Sequence, residues 1–368
     1  MRYTLLLLFI YGFIFVPSPA QPVLGNEELM TGIKEGVYKV YNYEFEKAEV
    51  IFKKLKSDYP DHPVGYLLFS LLQYYKYYPL IPGHEMTPAF ITEIEKSIQL
   101  SERILEKNKN DLEGIAFSMV SRSLLSMYYA DNELSMKVIS NAPTLYNLVV
   151  KGFKLKDEFV EFYFTTGLYN YYRVAYPEAH PVYKPVTVFF QPGNKELGLQ
   201  QLRYAVENAV FMKAEAMIFL TYIYLNFENK PDSAMHYARK LYEEYPENQY
   251  FLSEYTEVLL INKEFEKAKL LIIDLLSDDN QFNQMKGVIF KGIYEEIRLK
   301  DLNTAKRNYL SGLKIAETYG PMADNFKAYS HLGLARIYKK QGNEKKAREH
   351  EKAGNSFAKY DYHYSLAE

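Results

Sequence analysis

The 368-residue chain balances 44 Lys and Arg against 46 Asp and Glu, and a formal net charge of −2 gives no electrostatic reason to expect a nucleic-acid partner. It holds no cysteine, which excludes disulfides, thiolate metal sites, thiol nucleophiles and the lipid-bearing cysteine of bacterial lipoproteins. With 48% hydrophobic and 24% charged residues the composition is that of a packed chain and excludes wholesale disorder.

The first expected element is a secretory signal over residues 1–20. Arg2 precedes an apolar stretch from Leu5 to Val16, and Pro17-Ser18-Pro19-Ala20 places small residues where a signal peptidase reads. The run is shorter than the roughly 20 apolar residues a membrane-crossing helix needs. Cleavage would leave a secreted or periplasmic chain with no transmembrane span.

Residues 21–360 read as one helical domain. Apolar residues recur at three and four, as in Leu252, Tyr255, Leu259 and Leu260, or Leu332, Leu334, Ile337 and Tyr338, and strand-like alternation is almost absent. Glu44-Phe45-Glu46-Lys47-Ala48 returns letter for letter as Glu264-Phe265-Glu266-Lys267-Ala268, and self-similarity of that kind marks stacked repeats. Short polar turns such as Asn262-Lys263, Lys300-Asp301 and Gln341-Gly342-Asn343 punctuate the helices, and Pro60 and Pro246 follow second helices. The clearest repeats are 26–60 and 212–359. Residues 61–211 are irregular, with amphipathic helices at 97–107 and 112–129, a proline loop at 79–88 and a longer loop at 176–193. That loop carries Pro177, Pro181, Pro185 and Pro192 around an extended-looking Val186-Thr187-Val188-Phe189-Phe190, which is expected to fold back on helices. Residues 361–368 form a polar-aromatic tail, expected to cap the last helix or hang free.

A helix over about 157–175 carries the first candidate site. Tyr169, Tyr172, Arg173 and Tyr176 fall at helical spacing and share a face, a donor-rich platform for a carboxylate or a sugar. Asn170, His180 and Tyr183 could join it. The alternative is that Arg173 stacks on a tyrosine to close the helix against the proline loop. Most of the 36 Tyr and 23 Phe are read as packing between helices.

These features resemble the tetratricopeptide repeat family. Ala234, Ala268, Ala305 and Ala347 follow at steps of 34, 37 and 42, in the place of the family's small residue early in the second helix. Leu334, Ala335 and Tyr338, then Gly342, match the first helix and its end; Gly36, Phe45, Ala48, Phe52, Leu55 and Pro60 match in the first unit. Gly193-Asn194-Lys195-Glu196-Leu197-Gly198-Leu199 is similar to a stretch in the eukaryotic tetratricopeptide proteins associated with mitochondrial outer-membrane inclusion clearance. The resemblance implies an all-α solenoid of about eight antiparallel hairpins. It also implies a concave wall built from first helices, which puts Asn226, Glu257, Arg336 and Lys340 toward a ligand.

Catalytic signatures are missing: there is no His-Glu-x-x-His helix, phosphate loop, Gly-x-Ser-x-Gly elbow or dinucleotide fingerprint. Histidines such as His62, His84, His180, His236, His331 and His350 are scattered singly and read as rim or surface residues, so neither metal nor cofactor is expected. The expected function is a non-enzymatic, exported scaffold binding a protein or peptide partner. The alternative is a glycan-binding or glycan-processing envelope protein that uses the tyrosine-lined surface.

Overall fold

The computed structural model describes residues 23–366; the expected signal segment and the last two residues of the tail lie outside the described residues. The helices are α1 Glu27–Tyr41, α2 Phe45–Asp58, α3 Pro63–Lys76, α4 Thr87–Lys107, α5 Leu112–Asp131, α6 Ser135–Leu155, α7 Phe162–Ala179, α8 Lys184–Thr187 and α9 Lys195–Asn208. They continue as α10 Lys213–Asn226, α11 Pro231–Glu244, α12 Gln249–Ile261, α13 Phe265–Leu276, α14 Gln281–Tyr294, α15 Leu302–Ala316, α16 Asp324–Lys340, α17 Glu344–Phe357 and α18 Tyr362–Ser365. Among the described residues there is no strand, and no helix is long and apolar enough to cross a membrane. The long helices pack in eight successive pairs, α1/α2, α3/α4, α5/α6, α7/α9, α10/α11, α12/α13, α14/α15 and α16/α17. The fold is therefore an all-α solenoid of tetratricopeptide type, each pair covering its apolar face against its neighbours.

The turn inside each pair explains why such different sequences give one hairpin. After α1 the amide of Glu44 reaches back to the Lys39 carbonyl at 2.8 Å, and after α12 that of Glu264 reaches the Leu259 carbonyl at 2.8 Å, with Tyr43 and Lys263 at φ of 58° and 61° between. The same left-handed residue recurs at Glu133, Asn229, Lys300 and Gly342, so six of the eight pairs share one helix-ending motif. Asparagine or aspartate starts many of the following helices. Asn26, Asp111, Asn194, Asn248, Asn280, Asp301 and Asn343 each accept from a backbone amide of the first turn.

Small residues set how closely paired helices approach. Ala48, Ala234, Ala268, Ala305 and Ala347 are all buried on second helices. The closest approach of backbone to backbone is α7 on α9, where a Cβ on Gly198 would lie 2.6 Å from the Tyr171 amide nitrogen and 2.8 Å from the Gly167 carbonyl oxygen. The Glu-Leu-Gly-Leu run thus serves a helix crossing that no larger residue would permit.

Three local expectations are revised. The helix placed at 157–175 runs instead from Phe162 to Ala179, because Pro177 sits inside its last turn without ending it. The segment beyond is not extended: Pro181–Tyr183 form a 3-10 turn and Lys184–Thr187 a helical one, with Pro181 at a helix start where a missing N–H costs nothing. The tail neither caps the last helix from outside nor hangs free, since Tyr362, His363 and Leu366 are buried on the concave side.

The superhelix also closes on itself. Asn248 Nδ2 donates to the Tyr41 carbonyl at 2.6 Å and Asn280 Nδ2 to that of Tyr78 at 2.8 Å. Tyr78 meets the rings of Tyr250 and Phe282 at 5.2 and 5.9 Å, so the first two pairs seal against the sixth and seventh. First helices whose concave sides would face solvent in an open coil are brought round to face one another.

Candidate functional site

That closure leaves a cavity of about 590 Å³ inside the N-terminal pairs. Its walls come mainly from first helices: Met30, Ile33 and Val37 of α1, Leu67 and Leu71 of α3, Val120, Leu124 and Met127 of α5, Leu168 of α7 and Phe219 of α10. Leu145 and Val149 of α6 complete one side, and the lining is overwhelmingly carbon. The size falls within the roughly 300 to 1,000 Å³ of small-molecule sites.

Two acids and a tyrosine-rich corner around Arg173 punctuate the wall. Glu161, at the start of α7, accepts from the backbone amides of Val210, Phe211 and Met212 at 2.7, 3.1 and 2.8 Å, so its lone pairs are consumed in fixing the loop before α10. Burial raises its carboxyl, and those amides oppose the rise. Glu215 of α10 accepts from the hydroxyls of Tyr41 and Tyr75, and burial pushes its carboxyl up to about 7. Both acids are therefore muffled, one by amides and one by partial protonation at neutral pH.

The tyrosine and arginine corner stands at the far end of α7. Arg173 donates to the Phe190 carbonyl at 3.5 Å and neighbours Tyr169, whose hydroxyl donates to the Gln191 carbonyl at 2.7 Å. Burial, with Tyr146 adding to it, pushes the Tyr169 phenol up to about 12 while Arg173 pulls it back. Gly193 makes this corner possible, since a Cβ there would lie 2.7 Å from both Arg173 Cβ and the Asn170 carbonyl. Tyr172 packs edge-on against Tyr171 and Phe227, and its hydroxyl is buried with no hydrogen-bond partner among the described residues. A buried hydroxyl left in that state costs on the order of 1–3 kcal/mol, which calls for an explanation.

The structure thus brings Tyr169, Tyr172, Arg173 and Tyr176 together on the cavity wall. Asn170 faces the other way and donates to Gln201 Oε1 at 2.8 Å between α7 and α9. His180 lies exposed beyond α7, its ring 4.5 Å from that of Tyr176. Asn226 ends α10, half-buried and outside the cavity lining. Glu257 is on the concave wall, but it accepts from Asn325 and Tyr329 at 2.7 Å each under the folded-back tail. Arg336 makes a bidentate pair with buried Glu296 at 2.8 Å, which Tyr309 also meets, tying the last two pairs together. Lys340 is exposed at the end of α16.

Sequence reasoning missed the aliphatic wall. Leu71, Val120, Met127 and Leu168 read as ordinary core, yet each stays only partly buried because it borders the void. The available signal was that α5 is apolar nearly all round, as a helix covered on every side would be, while standing in a one-layer stack.

No protein-family model matches the chain, and no curated protein matches it in sequence. Among solved structures it is similar to the human IFIT1 dimer with PPP-AAAA, at 14% identity over 90% of this chain and 86% of that one, with a TM-score of 0.34. A monomeric IFIT1 mutant with Gppp-AAAA aligns at 14% identity over 90% and 82% of the two chains, TM-score 0.35. At such TM-scores the likeness informs neither partner nor mechanism.

Proposed function

We propose that this protein is a non-enzymatic binding scaffold that works outside the cytoplasm and takes an apolar group of its partner into the cavity of its N-terminal pairs. The observation that carries the reading is the void itself: about 590 Å³ of carbon-lined space walled by the first helices, the elements that face ligands in solenoids of this type. Export is supported by the charged, apolar and small-residue pattern of residues 1–20. The absence of catalytic motifs supports a binding role, and near-neutral charge supports leaving nucleic acid out of the partner set. A peptide laid along the C-terminal wall is less well supported than the sequence suggested, because Tyr362 and His363 already cover Glu257, Asn325 and Tyr329 there. A glycan is poorly served by walls with so few polar groups.

The test is binding of a polarity-sensitive naphthalene dye to the purified mature chain. A saturable one-to-one site is expected, and Val120→Trp, which fills the void, is expected to weaken it at least tenfold while the melting temperature holds. Dye that fails to bind, or binds Val120→Trp as well as the parent, would remove the cavity from the account.

A further inference from the structure

We infer that the occupant of the cavity is a single-chain carboxylic acid with a long alkyl tail, its carboxylate held at Arg173 and Tyr172. The inference deepens the cavity reading above and rests on it.

Charge decides the orientation. Arg173 and Glu161 are twelve residues apart on α7, about 18 Å along the helix axis. At the Glu161 end the acid already uses its oxygens on three backbone amides, and nothing there would welcome a second anion. At the other end stands the guanidinium of Arg173, a planar cation shaped to meet a carboxylate with two donors. Tyr172, the adjacent residue on α7, also lines the cavity, and its buried hydroxyl is a donor without a partner among the described residues. A carboxylate at this end of the cavity would accept from the Arg173 guanidinium and from that hydroxyl, and the space from there toward Glu161 is aliphatic, bordered by residues such as Leu67, Leu71 and Val120.

The surface beside this corner fits such a cargo. Phe190, which lines the cavity, is preceded by Val188 and Phe189 at 74% and 81% exposure, and Val182 is 77% exposed. Apolar side chains standing in water beside an apolar cavity offer a ligand's tail a first place to adsorb. A neutral alcohol of equal length would gain the same tail burial and forgo the charge-assisted bonds at Arg173.

The experiment is isothermal titration of the mature chain with straight-chain acids from octanoic to hexadecanoic, each matched by the alcohol of the same length. Affinity is expected to rise about fourfold per methylene until the void is full. Acids are expected to bind about tenfold tighter than the alcohols. Arg173→Gln should abolish that difference and Arg173→Lys should keep part of it. Tyr172→Phe should weaken the acids and raise the melting temperature of the unliganded protein, since it deletes the unsatisfied hydroxyl. Equal binding of acids and alcohols, or a difference that survives Arg173→Gln, would overturn the carboxylate assignment while leaving the cavity reading intact. Failure of both series, with no dye binding, would overturn both.

Discussion

Glu215 shows how a single buried acid shapes this interior. Its carboxyl is raised to about 7 by burial against the ordinary value of 4.5, and the hydroxyls of Tyr41 and Tyr75 moderate the rise. An acid raised on folding contributes stability that is fully present below its unfolded value and is lost as pH climbs through the folded one. Over pH 4.5 to 7 that loss is on the order of 3 kcal/mol. Glu215→Gln is therefore expected to flatten the fall in melting temperature between pH 5 and 8, a fall that persists unchanged in the variant if the acid carries no such penalty. His331 acts in the opposite sense. Burial and the ring of His350, its Nδ1 2.9 Å away, lower it to about 4, so folding loses stability as pH drops from about 6.5 toward 4. His331→Asn should raise the acid limb of the same titration. None of these partners was legible in the sequence: the two histidines were read as scattered because they are 19 residues apart on different helices, and Glu215 found its tyrosines across 174 and 140 residues. The Tyr169, Tyr172, Arg173 and Tyr176 face was legible, because helical spacing alone puts those side chains on one stripe; what it faced depended on closure of the whole coil.

At the level of helices and turns, the hairpins follow from chemistry that repeats while letters do not. The left-handed turn position is filled by Tyr43, Glu133, Asn229, Lys263 and Lys300, and only once by glycine, at Gly342. A side chain there costs roughly 1–2 kcal/mol, partly offset by the backbone entropy that glycine would lose. Lys263→Gly is expected to gain up to about 1 kcal/mol in urea unfolding, and a loss would show that its side chain outweighs the strain. At Gly198 the direction reverses. A Cβ 2.6 Å from the Tyr171 nitrogen must push α7 from α9, so Gly198→Val should cost about 1–3 kcal/mol and, by shifting Arg173, weaken ligand binding as well. An unchanged melting temperature would refute the close crossing. The eight pairs and the small-residue positions could be read from the chain because packing dictates residue type there. The proline segment after α7 could not, since proline at a helix start and proline in a loop look alike in sequence.

As a whole molecule, the solenoid departs from an open superhelix by sealing its first pairs onto its later ones. The seal is aromatic and partly charged: Tyr78 rests on Tyr250 and Phe282, and the ammonium of buried Lys286 donates to Ser253 at 2.8 Å, 5.1 Å from the centres of both the Tyr250 and Phe282 rings. Burial lowers that lysine while Glu254 and Glu257 hold it up. This is where the abundance of Tyr and Phe is spent, as bulky rings with a polar edge that can bridge surfaces meeting at odd angles. Closure turns what would be a shallow groove into a deep, half-open pocket, and a pocket of carbon with one cationic corner selects for an amphiphile. The most direct measurement is anomalous diffraction from crystals grown with ω-bromododecanoic acid. The bromine peak is expected between α1, α3 and α5, near Leu67, Leu71 and Val120, with the carboxylate at Arg173. Bromine on the outer surface, or first helices collapsed together with no space between them, would contradict the account.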